Sequence, residues 1–207
     1  MLRLLAPLLL LTLLAGCAGH APAPDAPRDR GDWAAQAERV ENLERWRLAG
    51  KIGLRTPESA QSANLDWVQA PRHYRMLISG PFGAGRSVLE GTPTGVTLTT
   101  GEGRFQAATP EQLMQERLGW SLPISALDYW IRGLPAPNMQ HALETDERGF
   151  PQRLRQAGWI IEYRDWRWTP ALAGGLWLPR RLVMTYGNLR ATLIVNQWRP
   201  NDANGAS

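Results

Sequence analysis

Apolar and polar residues alternate with a period of two over most of this chain, in runs so short and closely spaced that antiparallel strands are the natural outcome. Trp46, Leu48, Gly50, Ile52 and Leu54 alternate with Arg45, Arg47, Ala49, Lys51 and Arg55, as a strand with one apolar and one wet face requires. Ala63, Leu65 and Trp67 repeat the pattern, and so do Tyr74, Met76 and Ile78 after the break at Pro71. Residues 86–90, 96–99 and 104–107 are further short runs, followed later by 140–145, 152–156, 159–166, 180–186 and 189–198. The spacing predicts about eleven strands joined by Gly- and Pro-rich turns. No long crossover helix is available for a parallel sheet. An antiparallel sheet of that many strands must roll up, closed or half open, and rolling creates a concave face.

Three short helices interrupt the pattern. Asp32 is placed to cap a helix from Trp33, with Ala37, Val40 and Leu43 at helical spacing. Thr109-Pro110-Glu111-Gln112 reads as a cap with Pro at the first helical position, and Gly119 is placed to end that helix. Residues 125–132 form the third, closed by Gly133. So little helix cannot fill a rolled sheet of this size. The concave face therefore suggests a hollow, which ten Trp residues could line; the alternative is that each Trp is simply core.

The first sixteen residues read as an export signal: Arg3, an apolar run from Leu4 to Leu14, then small residues. The run is shorter than the roughly 20 residues a bilayer span needs. Residues 18–31 are rich in Ala, Pro and Gly, a composition suited to a flexible tether and not to a core. Residues 32–200 make one folded domain, and 201–207 a short tail.

The chemistry of catalysis is missing. No G-x-S-x-G surrounds a serine, and no H-E-x-x-H accompanies His20, His73 or His141. Gly83-Ala84-Gly85-Arg86-Ser87 lacks the spacing of a phosphate-binding loop. The single cysteine, Cys17, excludes an internal disulfide and any thiolate-rich metal site. No catalytic residue, metal or cofactor is expected. Twenty-three basic against nineteen acidic residues give a net charge of +4, too small and scattered an excess for nucleic acid. Arg45, Arg47, Arg55, Arg72, Arg75, Arg180 and Arg181 fall mostly opposite apolar positions. They suit a solvated outer face, or one that attracts phospholipid headgroups or an acidic partner.

One loop stands out. Ser79-Gly80-Pro81-Phe82-Gly83-Ala84-Gly85 has a single large side chain at a glycine-framed apex. Phe82 either folds back over the sheet edge or protrudes into a bilayer or a partner's apolar site, where one buried ring is worth about 2 kcal/mol.

Two resemblances are visible. Leu14-Ala15-Gly16-Cys17 resembles the bacterial lipobox, which implies cleavage before Cys17 and acylation of that residue; Ala18 in the next position implies sorting to the outer membrane. The domain resembles the LolB family of outer-membrane lipoprotein receptors. The resemblance rests on residues 46–53, the Gly-Pro-Phe-Gly turn of 80–83, Leu118-Gly119-Trp120 with Pro123, the run Trp130-Ile131-Arg132-Gly133-Leu134-Pro135, Gln156 with Gly158-Trp159 and Tyr163, and Leu178-Pro179-Arg180. It implies an incomplete, half-open antiparallel β-barrel of about eleven strands, with short helices as a lid over a hydrophobic cavity. It further implies a monomer, lipid-anchored to the outer membrane and facing the periplasm. Such a protein accepts acylated N-termini of lipoproteins from the soluble carrier LolA and inserts them into the outer-membrane phospholipid without ATP. Phe82 stands where the family commonly has Leu and takes the insertion role. Cavity candidates from the strand faces and helices are Trp46, Leu48, Ile52, Leu65, Trp67, Met76, Ile78, Leu113, Leu127, Trp130, Ile131, Trp159 and Ile161. Two other readings compete: an assembly lipoprotein whose curved sheet docks a protein, favoured by a filled barrel, and an esterase, favoured by a serine paired with His73 or His141.

Overall fold

The computed structural model describes residues 29–80, 85–118 and 121–201, with Leu118 described by its backbone only. Cys17, Ala18 and most of the tether, Phe82, Gly119, Trp120 and residues 202–207 lie outside the described residues.

Among the described residues the order of elements is α1 (Ala34–Glu41), β1 (Trp46–Arg55), β2 (Ala60–Ala70), β3 (His73–Ser79), β4 (Ser87–Thr92), β5 (Gly95–Thr100) and β6 (Gly103–Ala107). Then come α2 (Pro110–Leu118), α3 (Ile124–Trp130), β7 (His141–Thr145), β8 (Pro151–Gln156), β9 (Trp159–Thr169), β10 (Leu176–Tyr186) and β11 (Leu189–Pro200). The eleven strands form one antiparallel sheet in the order β6-β5-β4-β3-β2-β1-β11-β10-β9-β8-β7. Strands consecutive in the chain are neighbours in the sheet except β6 and β7, and the first and last strands pair at its centre. β6 and β7 stand at opposite edges and pair with one neighbour each. The fold is thus mainly β with a sheet that stays open, and α2 and α3 form the connection between its two edges.

Period-two alternation sets which side chains face inward. In β1, Trp46 and Leu48 are buried while Arg47 and Lys51 are exposed. The register aligns these faces across strands: Trp67 pairs with Met76, Met76 with Leu89 and Leu89 with Leu98. At Ala49/Gly50 the β1–β11 register shifts by a bulge, and a Cβ on Gly50 would stand 2.4 Å from the Ile194 carbonyl oxygen. Only glycine permits that approach without moving the backbone.

The helices differ from expectation in detail. Asp32 does not cap α1: Trp33 holds the N-cap position in αR conformation without a side-chain cap bond, its N–H donating to the Arg148 carbonyl in the β7–β8 turn at 2.8 Å. Docking onto that turn replaces the cap. At α2 Thr109 does cap, its Oγ1 accepting the Gln112 N–H at 3.2 Å, but the Gln112 side chain reaches forward to Glu116 at 2.8 Å and leaves the box half closed. α3 starts one residue earlier than expected, at Ile124.

Candidate functional site

The inner face of the sheet divides into a filled half and a hollow half. In the filled half, aromatic rings occupy the concavity. Trp46 packs between Trp67 and Trp198 in tilted and edge-to-face contacts, at centroid distances of 4.9 and 5.1 Å. Trp130, on α3, lies 6.2 Å from Trp159 and donates its Nε1–H to Gln156 Oε1 at 2.8 Å. Gln156 is itself buried, accepting the Ala136 N–H and donating to the Ala136 carbonyl, both at 2.8 Å. One side-chain amide thereby satisfies a helix and the loop behind it, which a buried polar group must do to be tolerated.

The C-terminal end of α3 is bolted by Arg132. Its guanidinium is buried and donates to the carbonyls of Val40 at 2.9 Å and of Asp128 at 3.0 Å, with Glu41 and Leu43 at 3.3 Å. Asp128 Oδ2 completes an ion pair at 3.4 Å. Burial pushes the Asp128 carboxyl above its ordinary range, and the neighbouring Arg132 opposes that shift.

The hollow half lies under α2 and the start of α3. Inward positions of β1 to β5 (Ile52, Leu54, Leu65, Met76, Ile78, Leu89, Leu98) form its floor, and Leu113, Met114, Ile124 and Leu127 of the helices form its roof. The space, open at one end, has a volume of about 380 Å³, at the lower end of the roughly 300–1,000 Å³ typical of small-molecule sites. Gln61, Ser62, Ser87 and Thr100 also border it. So do Gly80 and Gly85, which bound the segment containing Phe82.

α2 is held more lightly than α3. Leu113 and Met114 insert into the hollow. Beyond that, Glu111 Oε1 accepts the Ser125 N–H at 2.9 Å and the Arg117 guanidinium sits 3.6 Å over the Phe105 ring. The Arg117–Glu102 pair, at 4.0 Å with both side chains well exposed, adds little. Tyr74, whose hydroxyl is buried without a hydrogen-bond partner, has its pKa raised by burial and secondarily by Glu111.

Of the thirteen cavity candidates, Ile52, Leu65, Met76, Ile78, Leu113 and Leu127 come together around this space. Trp46, Leu48, Trp67, Trp130, Ile131, Trp159 and Ile161 do not; they are buried in the packed core. Among the described residues the expected Trp-rich walls are not found: the lining is mostly aliphatic with two methionines, and the indoles of Trp46, Trp67, Trp130, Trp159 and Trp198 pack in the other half. Sequence reading missed Leu89, Leu98 and Leu54, although the same alternation that selected Met76 and Ile78 points to them. Among the described residues the lining holds no charged side chain, and neither His73 nor His141 has a hydrogen bond to a serine. What such a space can do chemically is shelter hydrocarbon.

Comparison with known proteins agrees with this architecture. The family described as "Outer membrane lipoprotein LolB" matches residues 44–198. An outer-membrane lipoprotein LolB from Chromohalobacter salexigens is 66% identical over 93% of this chain and 88% of that protein. Proteins of the same name from Pseudomonas putida and Pseudomonas aeruginosa are each 40% identical over 92% of this chain, covering 93% and 92% of their own lengths. Among solved structures, a LolA superfamily protein from Nitrosomonas europaea superposes with a TM-score of 0.52 at 9% identity, over 83% of this chain and 94% of that one. A DUF1329 family protein from Desulfovibrio piger gives 0.54 at 9% identity, over 84% and 92%. At such identities the likeness is one of fold.

Proposed function

The chain belongs to the LolB family, a family of outer-membrane lipoproteins and not of enzymes, and from that premise we propose that it is a receptor for acylated lipoproteins. In this reading it takes the acylated N-terminus of a lipoprotein from the periplasmic carrier LolA and releases it into outer-membrane phospholipid without ATP. Cys17, once cleaved and acylated, anchors the domain; three chains hold firmly where one is marginal. The tether of residues 18–31 keeps the domain within about 45 Å of the bilayer, at roughly 3.3 Å per residue.

The observation that carries the reading is the apolar space of about 380 Å³ between the strand floor and α2. An acyl chain of around fifteen methylenes gains about 12 kcal/mol on leaving water, at about 0.8 kcal/mol each. Free diffusion across the periplasm is therefore forbidden, and a chain must pass from one apolar site to another. Transfer without ATP needs the receptor to hold the chains better than the carrier does and less well than the bilayer. A shelter of modest size fits that middle rank. Three chains exceed it, so loading requires the lightly held α2 to move outward while α3, bolted by Arg132 and Gln156, stays in place. Phe82 then delivers by entering the bilayer. A protein-docking lipoprotein would have no use for an empty apolar space.

The test is to add a lipoprotein–LolA complex to the purified protein, with and without Phe82→Glu, in the presence of liposomes. The expected result is acceptance by both proteins, with release into liposomes by the unmutated one only. Failure of the unmutated protein to accept the lipoprotein would end the proposal.

A further inference from the structure

In an antiparallel sheet alternate connections share one end. Here the end of β1 at Arg55, the end of β3 before Gly80, the β8–β9 turn at Ala157 and Gly158 and the end of β10 at Tyr186 lie together. It is also the end at which the apolar space reaches Gly80 and Gly85. Two features of this end are unexplained by folding.

The first is charge. Arg55 and Arg190 are register partners on β1 and β11, both exposed. Like charges directly opposite each other are unfavourable, and among the described residues neither has an ion-pair partner. Farther along the sheet Arg153, Arg155 and Arg180 are all paired with carboxylates. Between Arg55 and Arg190 lies a notch of about 370 Å³ bordered by Gly53 and Thr192.

The second is exposed apolar surface. Tyr186 is 53% exposed, Met139 41% and Ile160 37%. Tyr186 is held in place: its ring lies 5.4 Å from that of Trp159 and covers Gly158, where a Cβ would stand 2.8 Å from it. With φ of +79° that glycine is needed twice over. The register joins Ile160 to the arginines in one row on the outer face, Arg55 to Arg190, Arg190 to Thr185 and Thr185 to Ile160, while Tyr186, next to Thr185 in β10, turns to the other face at the same end and packs on Trp159.

We propose that this end of the sheet is a bilayer-docking edge, in which Tyr186, Ile160 and Met139 sit at headgroup depth and Arg55 and Arg190 grip the phosphate of an anionic phospholipid. The inference rests on the receptor reading above and adds the face that meets the membrane. Tyrosine, with an apolar body and a polar tip, suits the headgroup layer. Each cation near an anionic leaflet adds roughly 1 kcal/mol of attraction. A phosphate fits a notch between two guanidiniums, and the exposed apolar side chains at the same end suit the headgroup layer more than an acidic protein surface. Docking by this edge points the open end of the apolar space at the leaflet.

The mature acylated protein has no free thiol, since Cys17 is the chain's single cysteine. A fluorescent probe can thus be placed by Tyr186→Cys, or by Glu147→Cys in the β7–β8 turn at the far end, in protein anchored to vesicles containing a brominated quencher lipid. In vesicles of phosphatidylethanolamine with phosphatidylglycerol, the probe at 186 is expected to be quenched several-fold more than the probe at 147. Arg55→Gln with Arg190→Gln should lower the ratio of docked to undocked protein about tenfold or more, as should phosphatidylcholine vesicles, while Arg55→Lys with Arg190→Lys should retain most of it. Equal quenching at 186 and 147 would overturn the inference. So would quenching that appears only when an acidic carrier protein or a higher density of this chain is present. Acceptance of lipoprotein from LolA, measured on the same samples, reports on the receptor reading separately.

Discussion

The hydroxyl of Tyr163, whose ring packs 5.7 Å from that of Trp166, is buried without a partner, and burial raises its pKa. Tyr74 is shifted in the same direction. A folded state that keeps a phenolic proton which the unfolded chain would release is penalised once the unfolded group begins to ionise, near pH 10. Stability from these two tyrosines is therefore complete below about pH 10 and is lost as pH rises above it. Tyr163→Phe removes an unsatisfied hydroxyl and one titrating group. It is expected to leave the unfolding free energy at pH 7 unchanged or raised by up to about 1 kcal/mol, and to flatten the loss of stability between pH 10 and 11. A drop of several kcal/mol at pH 7 would show that the hydroxyl has a partner after all. None of this is visible in the sequence, where Tyr163 is one more inward residue of an alternating strand. At the same scale Arg132 and Gln156 were legible only as parts of a resemblance: a single polar residue announces nothing about the carbonyls it will reach across 92 or 20 positions of chain.

Strands were the most legible elements, because alternation that buries one face is a local code. Their lengths were underestimated. β10 begins at Leu176, four residues before the period becomes visible, since Pro179 interrupts the pattern and the β9–β10 register shifts beside it. The helices were found by caps and breakers, and the Asp32 error shows the limit of that signal where a tertiary contact supplies the missing partner. The contrast between α2 and α3 lies beyond sequence reading, as it depends on which loops lie behind each helix. It predicts that backbone amides of α2 exchange with solvent at least tenfold faster than those of α3, by opening that does not require global unfolding. Equal protection in the two helices, by hydrogen exchange and mass spectrometry, would mean that the roof moves as one body or not at all.

The whole molecule is a rolled sheet whose concavity is half filled by indoles and half empty. Sequence shows which residues face inward but not how the two halves share the filling, because Trp46 and Ile52 obey the same alternation and differ only in what reaches across to meet them. If the empty half is the working site, filling it should cost function and not stability. Leu98→Trp, on the cavity floor, is expected to keep the fold within about 1 kcal/mol of the parent and to reduce lipoprotein acceptance at least tenfold. Unchanged acceptance would place the acyl chains elsewhere. The most direct measurement uses a triacylated lipopeptide with a photoreactive diazirine at the end of one acyl chain, irradiated in complex with the protein and mapped by mass spectrometry. The account predicts cross-links at Met76, Leu98, Leu113 and Met114; cross-links confined to the outer face of the sheet, or to the Trp46 and Trp198 cluster, would contradict it.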